Sequence, residues 1–212
     1  MIKQFQFNHI QVNTYVIYDS TQQCVVVDPG MESDSEKEEL TDFIEKNRLT
    51  PKHILLTHSH IDHIAGVEGL CSRYNLPVTL HPDATGILHQ VGIYASVMGF
   101  STGDMKNLPT QNIDDGQIIK FGETEIEALA VPGHAAGSMA YCLHEERAVF
   151  TGDAIFCQSI GRTDLPTGNY DQLIESLKTK ILTLPDDYLL LPGHGPETTV
   201  GDEKKSNPFL NF

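Results

Sequence analysis

Apolar residues along this chain fall into short runs, some alternating and some continuous, separated by polar turns. Residues 1–7, 14–18 and 24–28 read as three strands, with 19–23 the turn between the second and third. Asp28-Pro29-Gly30 closes the third strand, and Ser33 or Ser35 caps an acidic helix carrying Leu40, Phe43 and Ile44 at helical spacing to about Asn47. Residues 53–56 form a strand, 65–74 a helix and 78–81 another strand, which is the pattern of a parallel crossover. Periodicity then fails over 85–109, where Gly86, Gly92, Gly99 and Gly103 interrupt Ile93, Tyr94, Val97, Met98 and Phe100. That stretch reads as short broken helices or a mobile loop, serving either as a lid or pocket wall or as ordinary packing. Residues 117–120, 123–131, 138–143 and 148–150 make a meander. Residues 170–182 form the last clear helix, with Leu173, Ile174, Leu177 and Ile181 on one side, and 188–191 the last strand.

Each half thus runs from antiparallel strands through a helix into a further strand. The expected architecture is of the α/β (α+β) class, a four-layer αββα sandwich of two mixed sheets with helices outside.

Composition narrows the class. The 212 residues, 40% of them apolar, suffice for one domain spanning 1–212. No run reaches the length of a membrane span, and the first seven residues alternate like a strand and not like a leader, so a cytoplasmic location is expected. Cys24, Cys71, Cys142 and Cys157 are scattered singly, predicting neither disulfides nor a zinc knuckle. A formal charge of -15 repels phosphate backbones and anionic lipid, which argues against nucleic-acid or membrane partners. The densest acidic stretch, residues 32–39, reads as a solvated helix face.

The chemistry sits at strand ends. Thr57-His58-Ser59-His60-Ile61-Asp62-His63 puts three imidazoles and a carboxylate directly after one apolar run. Three more runs end in Pro132-Gly133-His134, Thr151-Gly152-Asp153 and Pro192-Gly193-His194. Imidazole and carboxylate suit borderline cations such as Zn²⁺, and His58, His60, Asp62, His63, His134, Asp153 and His194 are too many for one tetrahedral ion. Two ions sharing a carboxylate are the natural count.

This order of histidines and aspartates resembles the metallo-β-lactamase superfamily over nearly the whole chain. Thr151-Gly152-Asp153-Ala154-Ile155-Phe156, Ser159-Ile160-Gly161-Arg162-Thr163-Asp164 and Pro192-Gly193-His194-Gly195-Pro196 are similar to glyoxalase II-like (hydroxyacylglutathione hydrolase-like) hydrolases that lack a carboxy-terminal helical domain. The resemblance implies that His58, His60 and His134 hold one divalent ion, that Asp62, His63 and His194 hold the other, and that Asp153 bridges them. Zinc is the first expectation, with iron and manganese as alternatives.

The resemblance further implies hydrolysis of a small-molecule acyl thioester by a hydroxide shared between the ions, with Asp62 and Asp153 as the catalytic carboxylates. Thioesters suit such a site because a thiolate leaves without a proton donor. Where the family carries a lysine and tyrosines for glutathione, this sequence has Arg162, Asp164 and Pro196. Arg162 is the candidate for binding a substrate carboxylate, the alternative being a salt bridge to Asp164 or Glu197. The competing activities are a mononuclear iron persulfide dioxygenase, a lactonase and a non-catalytic metal-binding protein. The complete set of seven ligands favours the hydrolase.

Overall fold

The computed structural model describes residues 1–210. Strands β1 (Ile2–Phe7), β2 (Val12–Tyr18), β3 (Gln23–Val27), β4 (Thr50–Leu55), β5 (Val78–Leu80) and β6 (Thr110–Asn112) form one sheet in that spatial order. The second sheet is built from β7 (Ile118–Phe121), β8 (Thr124–Ala130), β9 (Met139–Leu143) and β10 (Ala148–Gly152), which follow one another antiparallel. A small hairpin, β11 (Ile155–Phe156) with β12 (Ser159–Ile160), intervenes before β13 (Leu189–Pro192) and β14 (Thr198–Thr199) complete the order β14-β13-β10-β9-β8-β7.

The continuous apolar runs arise because side chains alternate between faces and both faces are covered. From the first sheet, Val16, Cys24, Val26 and Ile54 enter a core shared with helices, while Tyr15, Ile17, Val25, Val27 and Leu55 face the other sheet. The second sheet mirrors this. Tyr141, Phe150 and Leu191 point to the inter-sheet core, and Cys142, Val149 and Leu190 point outward to its own helices. The expected αββα layering is the observed one.

Helix α1 (Asp34–Lys46) starts at Ser33 with a capping box to Glu36 and buries Leu40 and Ile44. It connects β3 to β4, which pair in parallel. A single turn, α2 (Ile61–Ile64), precedes α3 (Val67–Tyr74), the crossover to parallel β5. In the other half α5 (Tyr170–Ser176) continues as a wider turn over Leu177–Ile181 and leads to β13, parallel to β10. Both halves therefore carry the repeated plan.

The segment 85–109 is ordered. Helix α4 (Thr85–Ala95) and two 3-10 turns, Ser96–Met98 and Met105–Asn107, pack Leu88, Val91, Phe100, Met105 and Leu108 onto the helix-side core of the first sheet. Ile93, Val97 and Met98 remain exposed, which is why its pattern reads as broken. Two further pieces lack an apolar signature: β6, all polar and held by pairing to β5, and α6 (Val200–Ser206), started by a Thr199 cap. Cys24, Cys71 and Cys142 are buried free thiols and Cys157 is exposed. No helix among the described residues is long and apolar enough to cross a membrane.

Candidate metal centre

Short links from four strands converge at one end of the sandwich. His58 and His60 follow β4, Asp62 and His63 lie on α2, and His134, Asp153 and His194 follow β8, β10 and β13. All seven sequence-expected ligands meet there. His60 Nδ1 lies 3.1 Å from His58 Nε2 and 3.0 Å from His134 Nε2, so three ring nitrogens face one another. Beside them, Asp62 Oδ2 is 3.0 Å from His194 Nε2 and 3.6 Å from His63 Nε2. Asp153 stands between the two groups. Its Oδ1 is 3.3 Å from His63 Nε2, and its Oδ2 is 3.7 Å from His134 Nε2 and 3.8 Å from His194 Nε2.

These donors fit a cation better than they fit one another. His63 Nε2 and Asp153 Oδ1 are buried without a hydrogen-bond partner, close together yet not aligned for a bond. Buried polar atoms are ordinarily paired, so two orphans aimed into a cluster of imidazoles mark a place for an ion. Three overlapping triads keep their donor atoms within 4.8 Å: His58, His60 and His134; His58, His63 and Asp153; Asp62, His63 and His194.

The outer partners decide which nitrogen points inward. Thr57 Oγ1 gives its only proton to Asp28 Oδ2 at 2.6 Å, so its 3.1 Å contact with His58 Nδ1 is accepted from that ring. His58 thus presents Nε2 as a lone pair. His63 Nδ1 donates to Asp28 Oδ2 at 2.9 Å, and His134 Nδ1 donates to the Arg162 carbonyl at 2.8 Å, with the same result. Such contacts orient metal-binding rings and raise their basicity.

Burial and mutual repulsion set the charges. Burial first, then the neighbouring imidazoles, holds His58 well below its ordinary value and brings His60 down to about 4; burial also lowers His134. For His63 burial acts the same way, but the carboxylates of Asp153, Asp62 and Asp28 outweigh it and raise the ring well above its ordinary value, so an ion bound there would displace the proton from Nε2 while Nδ1 keeps its own toward Asp28. Burial opposes charge on Asp62 and Asp153 too, and the surrounding histidines overcome it, leaving both carboxyls ionised. His194 is raised, its hydrogen bond to Asp62 prevailing over burial.

Close approach explains two glycines. A Cβ at Gly193 would overlap Asp153 Oδ1 and the His63 ring, and Gly152, at φ +49°, turns its backbone against Thr57.

Several supports carry no motif in the sequence. Asp28 reads there as a strand end, although it braces both Thr57 and His63. Asn13 is buried in β2 and donates from Nδ2 to the carbonyls of Pro192 at 3.0 Å and Gly195 at 2.9 Å, flanking His194. Tyr15 adds a bond from its hydroxyl to the Pro192 carbonyl at 2.8 Å. Asn8 Nδ2 reaches the carbonyls of Asp62 at 2.9 Å and Gly30 at 2.8 Å. Asn13 lies just ahead of the strand expected over 14–18, and β2 takes it in by starting at Val12. Arg162 contributes its carbonyl to the site, while its exposed guanidinium pairs side-on with Asp164 through two 2.8 Å bonds.

Residues 8–194 match the profile of the Metallo-beta-lactamase superfamily. The chain belongs to that superfamily. Within the metallo-beta-lactamase superfamily it is similar to the probable metallo-hydrolase YqgX of Bacillus subtilis, 38% identical over 204 residues that cover 95% of this chain and 93% of that protein. Hydroxyacylglutathione hydrolase GloC of Haemophilus influenzae is 37% identical over 203 residues, with the same coverage of 95% and 93%. Among solved structures, the BLEG-1 B3 metallo-beta-lactamase superposes with a TM-score of 0.89 at 35% identity, both chains covered in full. TTHA1623 in a di-iron-bound form gives 0.88 at 35%, covering 98% of this chain and 100% of that one. ETHE1 from Myxococcus xanthus gives 0.80 at 29%, covering 98% and 83%. The protein is a metallo-hydrolase of this superfamily with a histidine and aspartate metal-binding cluster.

Proposed function

We propose that the protein hydrolyses small acyl thioesters using two divalent ions, zinc first among the candidates. The observation that carries this reading is Asp153, set between two histidine groups with one oxygen toward His63 and the other toward His134 and His194. His58, His60 and His134 would hold one ion, Asp62, His63 and His194 the other, and Asp153 both. Ions held there would acidify a water and polarise an acyl carbonyl.

The remaining work belongs to the chain. Asp28 and Thr57 keep the rings in the tautomers that offer lone pairs, and Gly193, lacking a Cβ, lets its backbone lie against Asp153 and His63. Asp28, Asp62 and Asp153 all contact imidazoles, so none is spare to protonate a departing amine. A leaving group that departs as an anion suits such a pocket, and a thiolate does so. The resemblance to a relative named hydroxyacylglutathione hydrolase supports the same class of substrate. Arg162 is the candidate for a substrate carboxylate once it parts from Asp164. The partner is a small-molecule thioester.

The test is one panel: protein loaded with zinc, iron or manganese, assayed against lactoylglutathione, other acyl thioesters and a persulfide. Two ions per chain with thioester turnover is the expected result. One iron per chain with oxygen consumed on glutathione persulfide would overturn it in favour of a dioxygenase.

A further inference from the structure

The last helix carries a buried acid that the site's own chemistry does not use. Glu203, on α6, has no exposed surface and no cationic partner in its hydrogen bonds. A buried carboxylate is costly unless donors replace its water. Here four contacts do so. The Gln158 backbone N–H reaches Oε2 at 3.0 Å and Oε1 at 3.2 Å, Thr198 Oγ1 donates at 2.6 Å and Asn207 Nδ2 at 2.6 Å. Asn207, equally buried, also donates from Nδ2 to the Ser159 carbonyl at 3.0 Å.

Gln158 and Ser159 belong to the β11–β12 hairpin, which leaves directly after Asp153 and returns at Gly161 and Arg162. Gln158 sits at the hairpin turn at φ +57°, in the left-handed region that costs a side-chain-bearing residue some free energy. Its backbone N–H is the one that points into the Glu203 carboxylate. The hairpin in turn delivers two groups to the metal centre: the Phe156 ring, 6.3 Å from the His194 ring, and the Arg162 carbonyl that takes the His134 Nδ1 proton. Gly161, between them, lies against Asp153 and His134 so closely that a Cβ there would overlap the Asp153 carbonyl. Thr198 places a second arm of the same carboxylate on β14, four residues beyond His194.

We propose that Glu203 is a positioning residue of the metal centre: from the far side of the hairpin it fixes the loops that orient His134 and flank His194. This rests on the reading of the seven-donor cluster as a metal site. Glu203→Gln conserves volume but gives up one of the two acceptor oxygens that the Gln158 N–H and Asn207 Nδ2, both obligate donors, share, so it should loosen the hairpin without emptying the core.

The test is competitive chelator titration of zinc, with visible spectra of the cobalt form, on wild type, Glu203→Gln, the milder Asn207→Ala and Leu40→Ala. Leu40→Ala lowers stability in the opposite layer and controls for a general loss of structure. Glu203→Gln is expected to bind at least one ion about tenfold more weakly, with an altered cobalt spectrum, at the low end of what partners of metal ligands contribute. Asn207→Ala should move both readouts the same way by less, and Leu40→Ala should lower the melting temperature alone. If Glu203→Gln and Asn207→Ala kept wild-type affinity and spectrum, or if Leu40→Ala shifted them equally, Glu203 would be a packing residue and the proposal would fall. A wild type that bound no metal would instead sink the underlying reading, and this inference with it.

Discussion

Asp28 holds His63 by a 2.9 Å bond from Nδ1 to Oδ2, and the same carboxylate accepts the Thr57 backbone N–H at 2.7 Å on its other oxygen. One acid at the end of β3 therefore fixes a ring on α2 and the loop that leaves β4.

Removing its charge should loosen the ions and leave the fold standing. Asp28→Asn turns an N–H₂ toward either His63 or Thr57, both of which are donors. Metal affinity is expected to fall about 10- to 100-fold, the usual consequence of losing such a partner. Chelator competition measures this, and an unchanged affinity would show that His63 needs no brace.

Asp153 should matter more than any single histidine. It faces His63, His134 and His194 together, so Asp153→Ala should strip or separate the pair of ions, whereas His63→Ala should weaken one of them. Elemental analysis after gel filtration, beside turnover, gives the comparison. Two retained ions and normal turnover in Asp153→Ala would contradict its place between the two groups.

Arg162 tests how the substrate is held. Its guanidinium is satisfied by Asp164 on the surface, a kind of pair that adds little to stability. Arg162→Ala should raise KM for lactoylglutathione and barely change kcat, the mark of lost uniform binding. Asp164→Ala, which frees the guanidinium, should lower KM. Should neither variant move KM, the arginine would have no part in recognition.

Glu36 links the β1–β2 turn to α1 and gives the fold a pH signature. It accepts from the backbone N–H groups of Asn8 at 2.6 Å, Glu32 at 2.8 Å and Ser33 at 2.9 Å. Burial raises its pKa, but these bonds outweigh it and bring the group below its ordinary 4.5. A depressed folded value means stability present above pH 4.5 and lost as pH falls through the folded pKa. Glu36→Gln should therefore cost about 1 kcal/mol at pH 7 and progressively less below pH 4.5. Denaturant unfolding at several pH values checks this, and a pH-independent difference would refute it.

Much of this molecule was legible because its chemistry and its strands coincide. Runs such as Cys24–Val27 are apolar throughout, since residues on one face meet helices and those on the other meet a second sheet, and four such runs end just before an expected ligand. What escaped the eye lacked that coincidence. β6 is Thr110-Gln111-Asn112, held by backbone pairing that leaves no trace in side-chain pattern. The helical turn that carries the two expected ligands Asp62 and His63 is too short to show periodicity. Asp28 reaches Thr57 across 29 positions, Glu203 reaches Gln158 across 45 and Asn13 reaches Pro192 across 179, and nothing local reveals such partners.

The pairing of Val12 with His194 has a bearing on biosynthesis. On a ribosome adding about 5–20 residues per second, roughly 7 to 26 s separate the emergence of His63 from that of His194. His134 emerges within that interval and supplies the last donor of the triad with His58 and His60, whereas the triad of Asp62, His63 and His194 lacks its third member until the end. An ion captured at the second triad before then can be held only in part, and that triad closes only when the segment after β13 docks its His194 beside β2.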